Sequence, residues 1–416
     1  MRKKQLYAMG AFMVFTLIIL IVVVTNEIVS YRNYREEQDV LVTGSNTVVS
    51  DASTIENGST SATTDSTTES QKPDNAVTKD DQDSETSVNE NNVTDAKDSS
   101  LEENISLAFT GDVLLSSSPL NKYDSAGGIH GILSDKLLEE MNGADIMMIN
   151  QEFPFSTRGT QMQDKQYTFR TDPSRVGILH EMGVDIVSLA NNHTLDFGVE
   201  AMLDTLQTLK NEDIKSVGAG ENLEQAKETV YLDVKGKTIA FLGASRVIPV
   251  YEWNATDTSP GLFTTYDPTA LLEEIRSAKE KSDLAVVYVH WGIEKQSRPE
   301  EYQRTMAKQY IDAGADIVIG SHPHVLQGIE FYKGKPIIYS LGNFIFGDRI
   351  DQTALLKVNM NKDNSLSLSL LPCRAYNSLT KELRKVEDLQ NFYDMMESIS
   401  YDTSIDSEGN VLQLTN

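Results

Sequence analysis

The sequence predicts a layered α/β domain with two sheets, reached through an apolar span and a polar linker. Three observations predict it. From Ile105 onward, short β-branched runs alternate with longer amphipathic stretches, the pattern of packed sheet and helix layers. The phrase Gly-x-Asp-Ile recurs three times, each time leading into an apolar run that ends in polar residues. Two pairs of strand-like runs are each joined by Lys-Gly-Lys, a turn suited to a hairpin.

Ahead of this domain, Arg2, Lys3 and Lys4 precede an uncharged apolar run from Leu6 to Val24. As a helix that run measures roughly 28 Å, enough to cross a bilayer. It is long for a signal-peptide core, no Ala-x-Ala site follows it, and no cysteine stands near its end for lipid attachment. Residues 6–28 are therefore expected to be an uncleaved single-pass anchor. The basic residues before it put residues 1–5 in the cytoplasm and the C-terminal domain outside the cell. Residues 29–104 are read as a disordered linker. Between Val40 and Asn104, 14 acidic residues face 3 lysines and aromatic residues are lacking, so the segment cannot bury enough apolar surface to offset ordering.

The folded part can be followed strand by strand. Ile105 to Thr110 stops at Gly111-Asp112. Gly143-Ala-Asp-Ile leads to Asn150-Gln151-Glu152, and Gly183-Val-Asp-Ile leads to Asn191-Asn192-His193. Leu284 to Val289 ends at His290-Trp291-Gly292-Ile293-Glu294, and Gly314-Ala-Asp-Ile leads to Gly320-Ser321-His322-Pro323-His324. The paired runs Thr229–Val234 with Thr238–Ala244, and Ile329–Tyr332 with Pro336–Ser340, are expected to build the second sheet of a sandwich. Alternation in Ala354–Met360 and Leu366–Leu371 is expected to extend that sheet, and Lys381–Met396 reads as a closing helix.

Open α/β sheets place ligands beyond the carboxyl ends of their strands. By position, Asp112, Asn150, Glu152, Asn192, His193, His290, His322 and His324 are expected to converge on one rim. Taken singly, an aspartate after a strand is more often a turn former, and an asparagine before a helix is usually a cap. Joint placement outweighs this, because four of the six histidines fall at strand ends. His130 and His180 do not, and are set aside. Imidazole, carboxylate and carboxamide donors suit divalent Mn, Fe or Zn, and a pair of such ions is the usual apparatus for phosphoryl chemistry. The single cysteine, Cys373, excludes an intrachain disulfide and a cysteine-built zinc site. A net charge of −26 argues against nucleic acid as a partner, and without a P-loop the chain is not expected to activate a substrate with ATP.

The ordered set Phe109-Thr-Gly-Asp112, Asn150-x-Glu152, Asn191-Asn192-His193-x-x-Asp196-x-Gly198, His290-Trp-Gly-x-Glu294, Gly320-x-His322-Pro-His324 and Tyr339-Ser-Leu-Gly-Asn343-Phe resembles the motifs of bacterial capsule-synthesis proteins of the CapA type. The resemblance runs over 105–347. It implies a calcineurin-like metallophosphoesterase-type α/β/β/α sandwich of four layers, with 348–416 completing the same domain. It also implies association with other capsule synthase and export subunits and with an anionic polymer such as poly-γ-glutamate. Asp112, Glu152, Asn192, His290, His322 and His324 take the metal positions. His193, Asp196 and Glu294 take catalytic positions, and Asn150, Asn191, Arg170 and Asn343 contact substrate or support the site. Two departures stand out: Leu114 replaces the first-motif histidine, and Asn150-Gln151-Glu152 replaces the usual Gly-Asp. Three functions follow as expectations: a capsule-polymer accessory protein, a surface phosphoesterase or amidohydrolase, or a non-catalytic scaffold. Bound divalent cations, or a basic patch including Arg158, Arg170, Arg175 and Arg246, are the expected means by which an acidic chain holds a polyanion.

Overall fold

The computed structural model describes residues 104–414. The expected anchor and the linker up to residue 103 lie outside the described residues. Among the described residues, no helix is long and apolar enough to cross a membrane.

The elements run β1 (Ile105–Leu114), α1 (Ser117–Ala126), α2 (Asp135–Asn142), β2 (Ile146–Gln151), α3 (Gly177–Glu181), β3 (Ile186–Ser188), α4 (Gly198–Asn211), β4 (Lys215–Val217), β5 (Ala219–Gly220), α5 (Leu223–Ala226), β6 (Val230–Val234) and β7 (Lys237–Ser245). They continue as β8 (Gly261–Leu262), α6 (Thr269–Glu280), β9 (Leu284–His290), α7 (Glu301–Ala313), β10 (Ile317–Ser321), β11 (Leu326–Tyr332), β12 (Lys335–Leu341), β13 (Asn343–Phe346), β14 (Arg349–Met360), β15 (Leu366–Tyr376), β16 (Leu379–Glu382), α8 (Val386–Ile399), β17 (Thr403–Ile405) and β18 (Asn410–Gln413).

One sheet has the order β17-β18-β15-β14-β1-β2-β3-β4, with β13 also paired to β1 and β16 to β15; the other is β11-β12-β10-β9-β7-β6. Strand alternation decides what each face buries. On β2, Ile146 and Met148 join Leu107, Phe109, Phe241, Val286, Ile319 and Ile338 in a core between the sheets. Their neighbours Met147 and Ile149 pack outward against Leu137 and Met141 of α2 and Met202 and Leu209 of α4. On the far side, Val287, Val289 and Val318 meet Leu271 and Ile275 of α6 and Met306 and Tyr310 of α7. The layers are therefore helices, sheet, sheet, helices.

Two expectations change. The hairpin β14–β15 belongs to the first sheet, because β14 pairs antiparallel with β1 from Ile105↔Met360 to Phe109↔Leu356. Alternation along a strand fixes which residues point inward, but carries no information about which sheet accepts its edge. The closing helix starts later than expected, at Val386, because Leu379–Glu382 instead pairs with β15.

The part of β1 that bears Asp112 is set by a close backbone approach. Asp112 N donates to Gly342 O at 2.8 Å, and a Cβ on Gly111 would lie 1.8 Å from that same oxygen. Gly111→Ala must push β1 and β13 apart and is expected to cost about 3 kcal/mol or more, measured as a lower urea midpoint with an unchanged slope.

Candidate metal centre

The carboxyl ends of both sheets supply the site. β1 and β2 run parallel with Asp112 opposite Asn150, and β13 places Asn343 on the other side of Asp112. In the second sheet, β9 and β10 run parallel with His290 opposite Ser321. The rim is thus shared between two facing sheets, where the sequence pointed only to strand ends.

Asp112, Glu152 and His290 are fully buried, and one donor atom from each lies within 4.8 Å of the others. The Asn150 carboxamide donates to Asp112 Oδ1 at 2.8 Å and to Glu152 Oε1 at 3.1 Å. Asn191 in turn donates to Asn150 Oδ1 at 3.1 Å and to Gln151 O at 2.8 Å. These two asparagines hold the carboxylates without neutralising them. Glu152 Oε2 is buried with no hydrogen-bond partner, a costly arrangement for a carboxylate unless a cation faces it.

His290 presents one edge to this pocket. Its Nδ1 lies 2.9 Å from Ser321 Oγ, while Nε2 faces Asn192 Oδ1 at 2.9 Å, His322 Nδ1 at 3.1 Å and Glu152 Oε1 at 3.5 Å. With Nδ1–H donated to Ser321, the Nε2 lone pair converges with carboxamide, carboxylate and imidazole acceptors. A ring oriented through its other nitrogen in this way is the usual state of a ligating histidine.

The electrostatics agree. Burial, followed by the Asp112 charge, pushes the Glu152 carboxyl well above the usual range. Burial, reinforced by neighbouring imidazoles, holds His290 and His322 well below theirs. Burial acts against protonation of His324 too, but Glu152 and Asp112 override it and raise that imidazole to about 9. His324 Nδ1 lies 3.1 Å from Asp112 Oδ2 and 2.8 Å from Asn343 Oδ1, so a proton there offsets the carboxylates. The donor set, with its orphaned oxygen and surplus of acceptors, fits a divalent cation.

These shifts have a consequence for stability. The unfolded chain titrates its histidines near pH 6.5, whereas folded His290 and His322 stay neutral below it. Unfolding therefore takes up protons in that window, and stability is lost as pH falls. His193, lowered likewise, adds to the loss, whereas Glu152 and His324, which bind protons more readily when folded, oppose it. The apoprotein in EDTA is expected to lose about 1 kcal/mol between pH 6.5 and 5.5, read from urea denaturation at each pH.

Beside the carboxylates stands a second group. His193 Nδ1 lies 2.8 Å from Asp196 Oδ2, and Phe169 N donates to the same oxygen at 2.7 Å. Lys165, missed by sequence reasoning, donates to Asp196 Oδ1 and to the Asn192 carbonyl. It stands in a polar loop with no motif around it. Burial lowers the His193 imidazole below its usual range; Lys165 Nζ also stands 3.0 Å from Nδ1, and in the tautomer that donates Nδ1–H to Asp196 a lone pair is kept on Nε2. Glu294 is brought to His322 and His324, with donor atoms within 4.8 Å of one another.

Arg170 is not brought to the cluster. It is exposed, donates to the Arg158 carbonyl at 2.9 Å and stacks on Phe197 at 4.1 Å. The expected basic patch does not form either. Arg158 pairs with Asp204, Arg175 pairs with Asp124, and Arg246 bonds the carbonyls of Thr265 and Tyr266. Carboxylates neutralise Arg158 and Arg175, while Arg170 and Arg246 are turned onto backbone carbonyls. His130 and His180 pair with Asp135 and Glu212 outside the site.

Residues 106–348 match the family model described as bacterial capsule synthesis protein PGA_cap. The chain belongs to that family. Within PGA_cap, it is 33% identical over 287 residues to the PGA biosynthesis protein CapA of Bacillus subtilis (strain 168), covering 68% of this chain and 74% of that protein. It is 34% identical over 263 residues to the capsule biosynthesis protein CapA of Bacillus anthracis, covering 61% of this chain and 64% of that one. A solved structure, described as a novel phosphatase from Mycoplasma pneumoniae, is similar over 66% of this PGA_cap chain and 95% of its own, at 13% identity and a TM-score of 0.43.

Proposed function

We propose that this PGA_cap protein is a membrane-anchored, outward-facing accessory component for the synthesis or export of a poly-γ-glutamate-type capsule polymer. Its domain, on a metallophosphoesterase-type fold, carries a divalent-cation site. The family match over 106–348, with relatives named for capsule and PGA biosynthesis, carries the capsule reading. The apolar run Leu6–Val24 and the acidic segment after it support the tether. The polymer partner follows from the same relatives. A cation held by Asp112, Glu152 and His290, with Asn192 and His322 adjacent, gives an acidic protein a means of meeting a polyanion. The test is genetic. In a strain that makes the polymer, deletion of the gene is expected to reduce surface poly-γ-glutamate, and the wild-type gene but not Asp112→Asn to restore it. Unchanged polymer after deletion contradicts the proposal.

A second reading, a metal-dependent phosphoesterase or amidohydrolase, is favoured by the His193–Asp196 pair. A bound divalent ion polarises a phosphoryl or carbonyl oxygen and acidifies water. Asp196, fixed by Lys165 and the Phe169 amide, orients His193 so that Nε2 can accept a proton and return it to a leaving group. Turnover of a generic phosphodiester by the Mn²⁺-loaded protein, lost in His193→Asn with metal content unchanged, supports this reading. Absence of turnover with metal bound leaves the accessory role without hydrolysis.

A further inference from the structure

We propose that Glu294 is a cation ligand, holding a second divalent ion with His322 and His324 beside the first; this rests on the metal reading above and extends it to a second position. The family resemblance implies a catalytic place for Glu294, but the fold sets it beside two histidines. One donor atom from each of Glu294, His322 and His324 lies within 4.8 Å of the others. Glu294 is exposed while His322 is buried, so the group opens towards solvent on one side.

The backbone is arranged to bring these residues together. Both histidines take left-handed conformations, with φ of 99° for His322 and 57° for His324. Such backbone costs about 1–3 kcal/mol per residue and gathers where function requires it. The turn that carries Glu294 is left-handed on both sides, at Gly292 and at Lys295. Lys295 N donates to Pro323 O at 2.8 Å, which ties this turn directly to His322-Pro323-His324. A Cβ on Gly292 would meet Pro323 Cγ at 3.0 Å, so the two turns approach as closely as glycine allows. Tyr302 Oη accepts the Gly292 N–H at 2.7 Å and anchors the far side.

The two cation positions are contiguous. His322 Nδ1 is 3.1 Å from His290 Nε2, so the His322 ring stands between them. Asp112 divides its oxygens: Oδ1 faces Asn150 and Oδ2 faces His324. A carboxylate with one oxygen on each side is placed to bridge a pair of ions, which in two-metal sites lie about 3.5–4 Å apart. Glu294 is the carboxylate that the fold groups with His322 and His324.

The test is a count of ions on the full-length protein, stripped with EDTA, dialysed against Mn²⁺ and examined by elemental analysis and electron paramagnetic resonance. Wild type is expected to hold about two ions per chain with a spin-coupled signal. Glu294→Gln is expected to hold about one ion with an uncoupled six-line signal, and to weaken the second ion beyond the roughly 10–100-fold cost of losing an outer-shell partner. Glu294→His, which restores a donor, is expected to recover the coupled signal. Because Glu294 is exposed, both variants should match wild type in melting temperature in EDTA. Two coupled ions in Glu294→Gln, or a single ion in wild type, overturn the proposal while leaving the first site standing. No ion in wild type removes the metal reading of the site and this inference together.

Discussion

His290→Ala is expected to strip the protein of tightly bound divalent metal. His290 is fully buried and aims Nε2 at Asn192, Glu152 and His322, so its loss removes a donor at the centre of the pocket and leaves those acceptors facing one another. A ligand present at one hundred times its Kd stabilises a fold by about 2.7 kcal/mol, and that increment should vanish from the variant's thermal shift on Mn²⁺ addition. The variant should also be intrinsically weaker by about 2–4 kcal/mol, from the cavity and the unpartnered Ser321 and Asn192 groups. Comparing each protein with and without EDTA separates the two effects. His180→Ala, which removes an exposed imidazole paired with Glu212, should leave the shift intact.

Glu152→Gln is expected to move stability and metal binding in opposite directions. In the apoprotein, the carboxylate is buried beside Asp112 with Oε2 unpartnered. A carboxamide avoids the cost of burying that charge or of protonating it, supplies a donor for Asp112, and still accepts from Asn150. The metal-free variant should therefore be more stable than wild type by about 1–3 kcal/mol at neutral pH. The same substitution removes the anionic donor opposite the ion, so the metal-dependent gain should be lost. Urea titrations of both proteins, with EDTA and with Mn²⁺, measure this. A variant that is weaker without metal yet still stabilised by it would show that Glu152 is a structural carboxylate.

The site was legible where chemistry follows from position in a strand. Asp112, Asn150, Glu152, Asn192, His193, His290, His322 and His324 each follow a recognisable buried run, so the rule that ligands gather beyond strand ends reached them without knowledge of the sheet order. What depends on pairing was not legible. Nothing in Ala354–Met360 distinguishes an edge on β1 from one in the opposite sheet, and the choice is made by long-range register. Lys165 is a lone lysine in a polar loop until the fold buries it against Asp196. The arginines expected to form a basic patch were counted as free because their partners, Asp204 and Asp124, lie 46 and 51 residues away in sequence. Glu294 was visible as part of a motif, yet its relation to His322 and His324 depends on the hydrogen bond from Lys295 to Pro323, which no local pattern announces.

The most direct test of the cation pocket is anomalous diffraction from crystals of the protein grown with Mn²⁺. The expected result is a peak about 2.0–2.2 Å from donor atoms of Asp112, Glu152 and His290, as first-row ions bind such groups. Mn²⁺ absent from that pocket, with the Glu152 carboxylate still unpartnered, would contradict the account.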